Sequence, residues 1–289
     1  MRYVLSVVLV AVAAIGVAVA VAQERGDDPS PRAASAQALP APDAALPRRP
    51  GPLAAALTAT IRRLRDAVRG WDTAGEVPAE VTLLALHHQR MLRLIAKRRA
   101  LGDATLRGLP RDVRGEARDA VLAQRHLAQI PRSPSRLPRV RVAKAAPAAE
   151  LRRHYGVAQR RFGVHWSILA SVNFIESAFG RVRSASEAGA RGPMQFLPST
   201  WRAYGMGGDI DDPRHAILAA ANLLRSAGAT RDLDGALYAY NHSTSYVRAV
   251  RRFAARMRTD ERTFRTFYAW QVYIRTPAGV RRVTGPGRG

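Results

Sequence analysis

The residues with the clearest capacity for chemistry lie in three short stretches in the second half of the chain. The first, NFIESAFG, runs from Asn173 to Gly180 and holds one carboxyl group, Glu176, among apolar neighbours. The second is GARGPMQF, from Gly189 to Phe196, and the third is AYNHS, from Ala239 to Ser243. A carboxyl group kept away from water favours its neutral form, which a general acid needs near neutral pH. The pattern therefore suggests acid–base chemistry at Glu176.

The element that must position Glu176 is a helix with an apolar stripe. The stripe follows helical spacing through Ile168, Val172, Ile175 and Phe179. Glu176 lies at the edge of that stripe, where a carboxylate is paired, protonated or lining a cleft. From this helix alone, an ion pair with Arg181 or Arg183 explains the residue as well as catalysis does.

The other two stretches supply groups that suit a sugar. Two glycines allow close backbone approach, and Met194, Gln195 and Phe196 combine an apolar platform with one amide. Such a loop is more often a plain turn. Hydrogen-bonding side chains then cluster where a helix should end: Tyr238, Tyr240, Asn241, His242, Ser243 and Tyr246. A helix C-terminus followed by a serine N-cap explains that cluster equally well.

Taken in order, these stretches resemble the lytic murein transglycosylases, the soluble lytic transglycosylases of the goose-type-lysozyme-like superfamily. The resemblance covers about residues 148–258 and includes GDIDDPRHAILAAANLL between the second and third stretches. It implies a mainly α fold, with a lysozyme-like helical catalytic domain preceded by a small helical region. It also implies cleavage of the β-1,4 bond between N-acetylmuramic acid and N-acetylglucosamine in peptidoglycan.

The resemblance assigns roles to particular residues. Glu176 is the expected catalytic acid/base, and the expected substrate-binding residues are Ser186, Met194, Gln195, Phe196, Tyr240 and Asn241. Of these, Tyr240 and Asn241 would hold both the carboxyl group and the substrate. Pro193 departs from the family pattern, which commonly has Leu or Met there.

The resemblance also implies a reaction that needs one carboxyl group instead of two. Hydrolytic glycosidases use a pair of carboxyl groups, and the nearest acids in sequence, Glu187, Asp209, Asp211 and Asp212, match no second catalytic residue. In a lytic transglycosylase the sugar's own 6-hydroxyl attacks C1 and leaves a 1,6-anhydro end, without metal or cofactor. A lysozyme-like hydrolase and a non-catalytic cell-wall-binding protein are the alternatives. For Asp212, an N-cap before Pro213 is favoured over a calcium ligand.

The amino-acid composition limits which kinds of partner and site the chain can have. The chain of 289 residues has no cysteine, which excludes disulfides, thiolate metal sites and a cysteine nucleophile. A net charge of +24 fits an anionic partner, but all but two of the 46 basic residues are arginine, as a GC-rich genome produces. Peptidoglycan strands are the expected partner, with growth or division proteins as further candidates.

The N-terminus predicts where the protein works. Residues 1–22 form a signal peptide or membrane anchor, because the 19 residues from Val4 to Ala22 carry no charge and end in small residues. The expected location is extracytoplasmic, secreted or anchored in the cell envelope, which argues against nucleic acid as a partner.

The remaining organisation follows from composition and periodicity. We predict a disordered linker at 23–52, a helical accessory region at 53–130, a linker at 131–147, the transglycosylase domain at 148–276 and a flexible tail at 277–289. The accessory helices are expected at 53–69, 79–100 and 113–129. His87 and His88 point about 100° apart on a helix, so they cannot chelate together and are predicted to lie on the surface.

Overall fold

A computed structural model describes residues 38–130, 140–276 and 279–287. The predicted signal peptide or anchor lies outside these ranges, as do residues 23–37 and 131–139 of the two predicted linkers. Within the described part, eleven α-helices and one two-stranded sheet form the fold, and the mainly α class is confirmed. No helix in these ranges combines the length and apolar composition that a bilayer crossing requires.

The first four helices form the accessory region. They are α1 (Pro50–Arg69), α2 (Ala79–Lys97), α3 (Arg99–Gly108) and α4 (Arg111–Ala128). The sequence prediction of one helix through residue 100 is wrong, because the chain turns at Arg98, with φ −92° and ψ 88°, and begins a separate helix. A Cβ at Gly102 would stand 2.2 Å from the Ile95 carbonyl oxygen, so α2 and α3 approach too closely for any side chain there.

Seven helices and a hairpin follow. They are α5 (Ala148–Phe162), α6 (Trp166–Ser177), α7 (Pro198–Tyr204), α8 (Pro213–Ser226), α9 (Leu233–Tyr240), α10 (Thr244–Thr259), α11 (Arg262–Tyr268), β1 (Tyr273–Thr276) and β2 (Gly279–Arg282). The two strands are antiparallel, with Tyr273 opposite Arg282. The segment predicted as a flexible tail therefore begins with a paired strand, which its Gly/Pro/Arg-rich composition concealed. The domain boundaries themselves stay predictions.

The two sets of helices share one core. A continuous set of buried apolar side chains runs from Leu53 on α1 to Trp270 after α11. Across the junction α4 packs along α10, while α1 and α2 pack against α11. Within the second set, α6 packs against α5, α8 and α10. The helix that carries Glu176 is thus enclosed: α10 packs against both α6 and α4, and Gln89 and Gln124 of the accessory region line a cavity together with Phe174 and Ile175 of α6.

One histidine, His88, and the glutamine that follows it fasten α2 to the C-terminal segment. The predicted surface position is wrong for His88, which is buried and accepts a hydrogen bond at Nδ1 from Trp270 Nε1 at 3.4 Å. Burial lowers the pKa of His88 to about 3, so the ring is neutral. The neighbouring Gln89 amide bonds both backbone groups of Gln271, at 2.9 Å each.

Candidate active site

Glu176 occupies the last turn of α6, a helix in which all but one residue is buried. The helix begins at His165, whose Nδ1 accepts a hydrogen bond from the Ser167 amide and satisfies one of the free N–H groups at the helix start. It ends abruptly because Ala178 and Phe179 both adopt left-handed backbone angles, φ 51° and 63°. Non-glycine residues rarely adopt this conformation, and such strain is common near functional sites.

The carboxyl group of Glu176 is fully buried and has one hydrogen-bond partner among the described residues. Its Oε1 accepts from the Tyr246 hydroxyl at 2.8 Å, and its Oε2 is buried without a partner. Burial raises the pKa of Glu176 to about 8, and the Tyr246 hydrogen bond offsets only part of that effect. The carboxyl group is therefore mainly protonated at neutral pH.

The ion-pair explanation of Glu176 does not describe this structure. Arg181 donates to the Ala178 carbonyl at 3.1 Å and lies over the Tyr268 ring. Arg183 donates to a backbone carbonyl at residue 144. Both guanidinium groups are thus directed to partners other than the Glu176 carboxyl group.

Tyr246 is the site residue that the sequence did not single out. It lies in the first turn of α10, where Ser243 caps the helix and its hydroxyl accepts from the Tyr246 amide at 3.3 Å. Its ring is parallel to that of Tyr240, with centroids 6.4 Å apart. The sequence signal was its place in the polar cluster after Tyr240, but only the packing of α10 on α6 shows which tyrosine reaches Glu176.

The glycine-rich loop is tied to α6 through one carbonyl group. Asn173 Nδ2 donates to the Pro193 carbonyl oxygen at 2.8 Å, and Ser177 Oγ donates to the same oxygen. Gly192 is required because a Cβ there would stand 2.0 Å from the Ile210 carbonyl oxygen. These hydrogen bonds therefore fix the position of the loop relative to α6.

The predicted substrate-binding residues occupy different surroundings. Met194 and Phe196 are buried in the loop, and Phe196 packs edge-on against Trp201. The Met194 carbonyl accepts from the Tyr240 hydroxyl at 2.6 Å, which joins the loop to the end of α9. Ser186 accepts from the Ala190 amide at 3.0 Å, so its hydroxyl stabilises its own turn.

In the part of the chain that the structure describes, three of the nine buried side-chain polar atoms without a hydrogen-bond partner belong to site residues. Glu176 Oε2, Gln195 Oε1 and Asn241 Nδ2 are all buried without a hydrogen-bond partner. Burying a polar atom without a hydrogen bond costs roughly 1–3 kcal/mol of stability. Such atoms are expected at a binding site, where a ligand supplies the missing hydrogen bond. The three residues are linked, because Gln195 follows Met194, Asn241 follows Tyr240, and Tyr240 stacks on the tyrosine that bonds Glu176.

Residues 154–262 match the family model of the transglycosylase SLT domain. The match is consistent with a lytic transglycosylase of the lysozyme-like superfamily, as the three stretches indicated. It supports a peptidoglycan-cleaving function of the lytic transglycosylase type. No curated protein and no solved structure matched the chain.

The transglycosylase SLT domain match includes every residue of the site but leaves out the accessory region. It starts within α5 and ends at the start of α11. Helices α1–α4 precede the matched residues, although α4 packs along α10, the helix that carries Tyr246.

The acids that follow Glu176 most closely in sequence have other partners or lie exposed. Asp212 caps α8 by accepting from the His215 amide at 2.9 Å, which confirms the predicted N-cap. Asp211 pairs with Arg191 at 3.1 Å, and Glu187 is exposed. Among the described residues, no group of three or more His, Asp or Glu side chains could hold a metal ion.

Proposed function

We propose that this protein is a lytic transglycosylase that cleaves the MurNAc-β-1,4-GlcNAc bond with Glu176 as its single acid/base, leaving 1,6-anhydro-MurNAc ends. The observation that carries the proposal is the state of Glu176. It is a fully buried carboxyl group without a cationic partner, its pKa is raised to about 8, and one of its oxygens is unpartnered.

The first step is protonation of the leaving group. Tyr246 donates to Oε1, so the acidic proton belongs on Oε2, the oxygen without a protein partner. Glu176 transfers this proton to the glycosidic oxygen as the bond between C1 and that oxygen breaks. The N-acetylglucosamine side leaves with a free 4-hydroxyl, and the electron deficiency at C1 spreads to the ring oxygen.

The second step closes the sugar on itself. Glu176, now a carboxylate, accepts the proton of the 6-hydroxyl while that oxygen forms a bond to C1. This returns the protonated carboxyl group and forms the 1,6-anhydro ring. The Tyr246 hydrogen bond stabilises the carboxylate between the two steps, because a donor to a charged acceptor is stronger than one to a neutral acceptor.

In this proposal the substrate supplies hydrogen bonds to the buried polar atoms that have no protein partner. Gln195 Oε1 would accept from an N–H or O–H group of the glycan, and Asn241 Nδ2 would donate to one of its oxygens. Met194 and Phe196 would support the apolar face of a sugar ring, and Ser186 would orient substrate through its turn. These roles belong to the proposal.

The location and partners are proposed on the sequence alone. Residues 1–22 would export the protein or hold it at a membrane, so that it acts in the cell envelope on peptidoglycan strands. Proteins of cell-wall growth or division would recruit it there.

Mass spectrometry of the fragments released from purified peptidoglycan tests the reaction. The 1,6-anhydro products are lighter by one water than the products of hydrolysis, so the two reactions separate directly. We expect anhydro ends from the wild-type protein and none from Glu176→Gln. Fragments with free reducing ends would instead identify a lysozyme-like hydrolase, and binding without release would identify a wall-binding protein.

A further inference from the structure

We propose that Asp119 of α4 is a positioning residue: it holds α10 so that Tyr246 meets Glu176, which makes the accessory region part of the catalytic unit. The role in catalysis rests on the proposed function, whereas the effect on the Tyr246–Glu176 contact does not.

Helix α4 runs antiparallel to α10 and contacts it at both ends. Gln129, just after α4, accepts at Oε1 from Ser245 Oγ at 3.2 Å, next to Tyr246. Two to three turns earlier on α4, Asp119 accepts from Arg252 Nη1 at 2.8 Å and from Arg256 Nε. The residue numbers of the contacts on α10 rise as those on α4 fall, which shows that the two helices run antiparallel. The contacts therefore define both the axial register and the rotation of α10.

Asp119 is better placed for this role than a surface acid. Its side chain is 16% exposed, and its two oxygens accept from different arginines on successive turns of one helix. Gly115, one turn earlier, leaves room for the Arg256 side chain, since a Cβ there would lie 3.3 Å from Arg256 Nη1. A paired carboxylate in partial burial contributes more than an exposed one.

The position of α10 matters because Tyr246 has a single polar target. Its hydroxyl is 2.8 Å from Glu176 Oε1, and a shift of about 1 Å would break a bond of that length. The two titratable groups that face Glu176 are Tyr246 from α10 and Tyr240 from the end of α9, and burial keeps the pKa of each well above 10. Movement of α10 therefore acts on Glu176 through a neutral hydrogen bond.

Asp112 provides a matched control on the same helix. It lies seven residues before Asp119 and pairs with Arg62 of α1 at 3.1 Å instead of with α10. Asp112→Asn makes the same chemical change as Asp119→Asn but leaves the α4–α10 contacts intact.

The experiment is a titration of Glu176 in the full chain. The protein carries ¹³C-labelled glutamate, and Glu176→Gln assigns the side-chain signal. Tyr246→Phe should raise the pKa of Glu176, because the hydrogen bond it removes lowers that pKa. Asp119→Asn should move the pKa in the same direction by a smaller amount. Asp119→Glu should restore part of the wild-type value, and Asp112→Asn should leave it unchanged.

Kinetics give a second readout. We expect Asp119→Asn to lower kcat by roughly threefold, less than Tyr246→Phe, with KM within about twofold, because partial misplacement of a catalytic group slows the chemical step. If Asp119→Asn does not fold, Arg256→Gln and Arg252→Gln remove the same contacts one at a time. A wild-type pKa in Asp119→Asn, or equal effects of Asp119→Asn and Asp112→Asn, would overturn the proposal.

The same data separate this proposal from the proposed function. A wild-type protein that releases no anhydro fragments contradicts the function, and the titration still decides whether Asp119 controls the Tyr246–Glu176 contact.

Discussion

Glu116 on α4 and Glu176 on α6 are both largely removed from water, but they have different neighbours. Glu116 Oε2 accepts from Arg65 Nη2 at 2.9 Å and from Arg65 Nε at 3.3 Å. Glu176 accepts only from a neutral tyrosine hydroxyl. Burial raises the pKa of both groups, but at Glu116 the arginine counteracts it.

The difference separates a structural acid from a reactive one. A buried carboxyl group with a guanidinium partner is stabilised in its charged form and joins two helices, here α1 and α4. A buried carboxyl group without a cationic neighbour keeps its proton near neutral pH and can donate it to a basic atom of a bound ligand. The neighbouring charge, more than the depth of burial, distinguishes the two glutamates.

The largest expected effect is on catalysis. Glu176→Gln keeps the shape of the side chain but removes its proton transfer, so glycan release should fall by at least about 10³-fold. Circular dichroism should show an unchanged fold, and thermal stability should be equal or higher. Glu116→Gln tested beside it should retain most of the release per folded molecule. A similar loss in both variants would remove the distinction between the two glutamates.

The next effect concerns the pH dependence of stability. The pKa of Glu176 is about 8 in the folded protein against an ordinary value of 4.5, so between these values the folded state binds the extra proton. The free energy of unfolding should therefore fall as pH rises across that window, by about 3–5 kcal/mol relative to Glu176→Gln. Urea unfolding of both proteins from pH 4 to 9 measures the difference. Parallel curves would contradict a raised pKa.

A smaller loss of stability is expected at the paired glutamate. Glu116→Gln leaves Arg65 with a neutral amide and the Asp112 carbonyl, which should lower the free energy of unfolding by about 1–3 kcal/mol. The pH profile of glycan release should keep its shape, because Glu116 does not contact the site. Urea unfolding measures the change in the free energy of unfolding, and the release assay at several pH values measures the pH profile. A displaced profile would show that Glu116 acts on catalysis.

The smallest effect is expected at the tyrosine that bonds Glu176. Tyr246→Phe removes one hydroxyl, so kcat should fall roughly tenfold, about 1.4 kcal/mol, and the alkaline limb of the pH–rate profile should move to higher pH. Tyr273→Phe, in the β-hairpin, loses a hydroxyl far from Glu176 and should match the wild type. An unchanged limb in Tyr246→Phe would show that this hydrogen bond does not set the acidity of Glu176.

Much of the local structure was predictable from the sequence. The apolar stripe correctly predicted that α6 packs on the core, although the structure buries Glu176 completely instead of placing it at the edge, and Asp212 before Pro213 correctly predicted the start of α8. Both are short-range signals, set by side-chain spacing and by the chemistry of one cap.

What the sequence did not give depends on contacts between distant residues. Tyr246 reaches a carboxyl group 70 residues away, and His88 is buried by a tryptophan 182 residues away. The antiparallel pairing of α4 with α10 is of the same kind. No local pattern distinguishes Tyr246 from Tyr238 or Tyr240, since the choice depends on the rotation of α10 against α6.

The carbonyl group of Pro193 has a consequence for how the protein opens. It accepts from Asn173 and Ser177, both on α6, so the loop and the helix form one unit of local unfolding. Their amide protons should exchange with solvent together, at the free energy of a single cooperative opening.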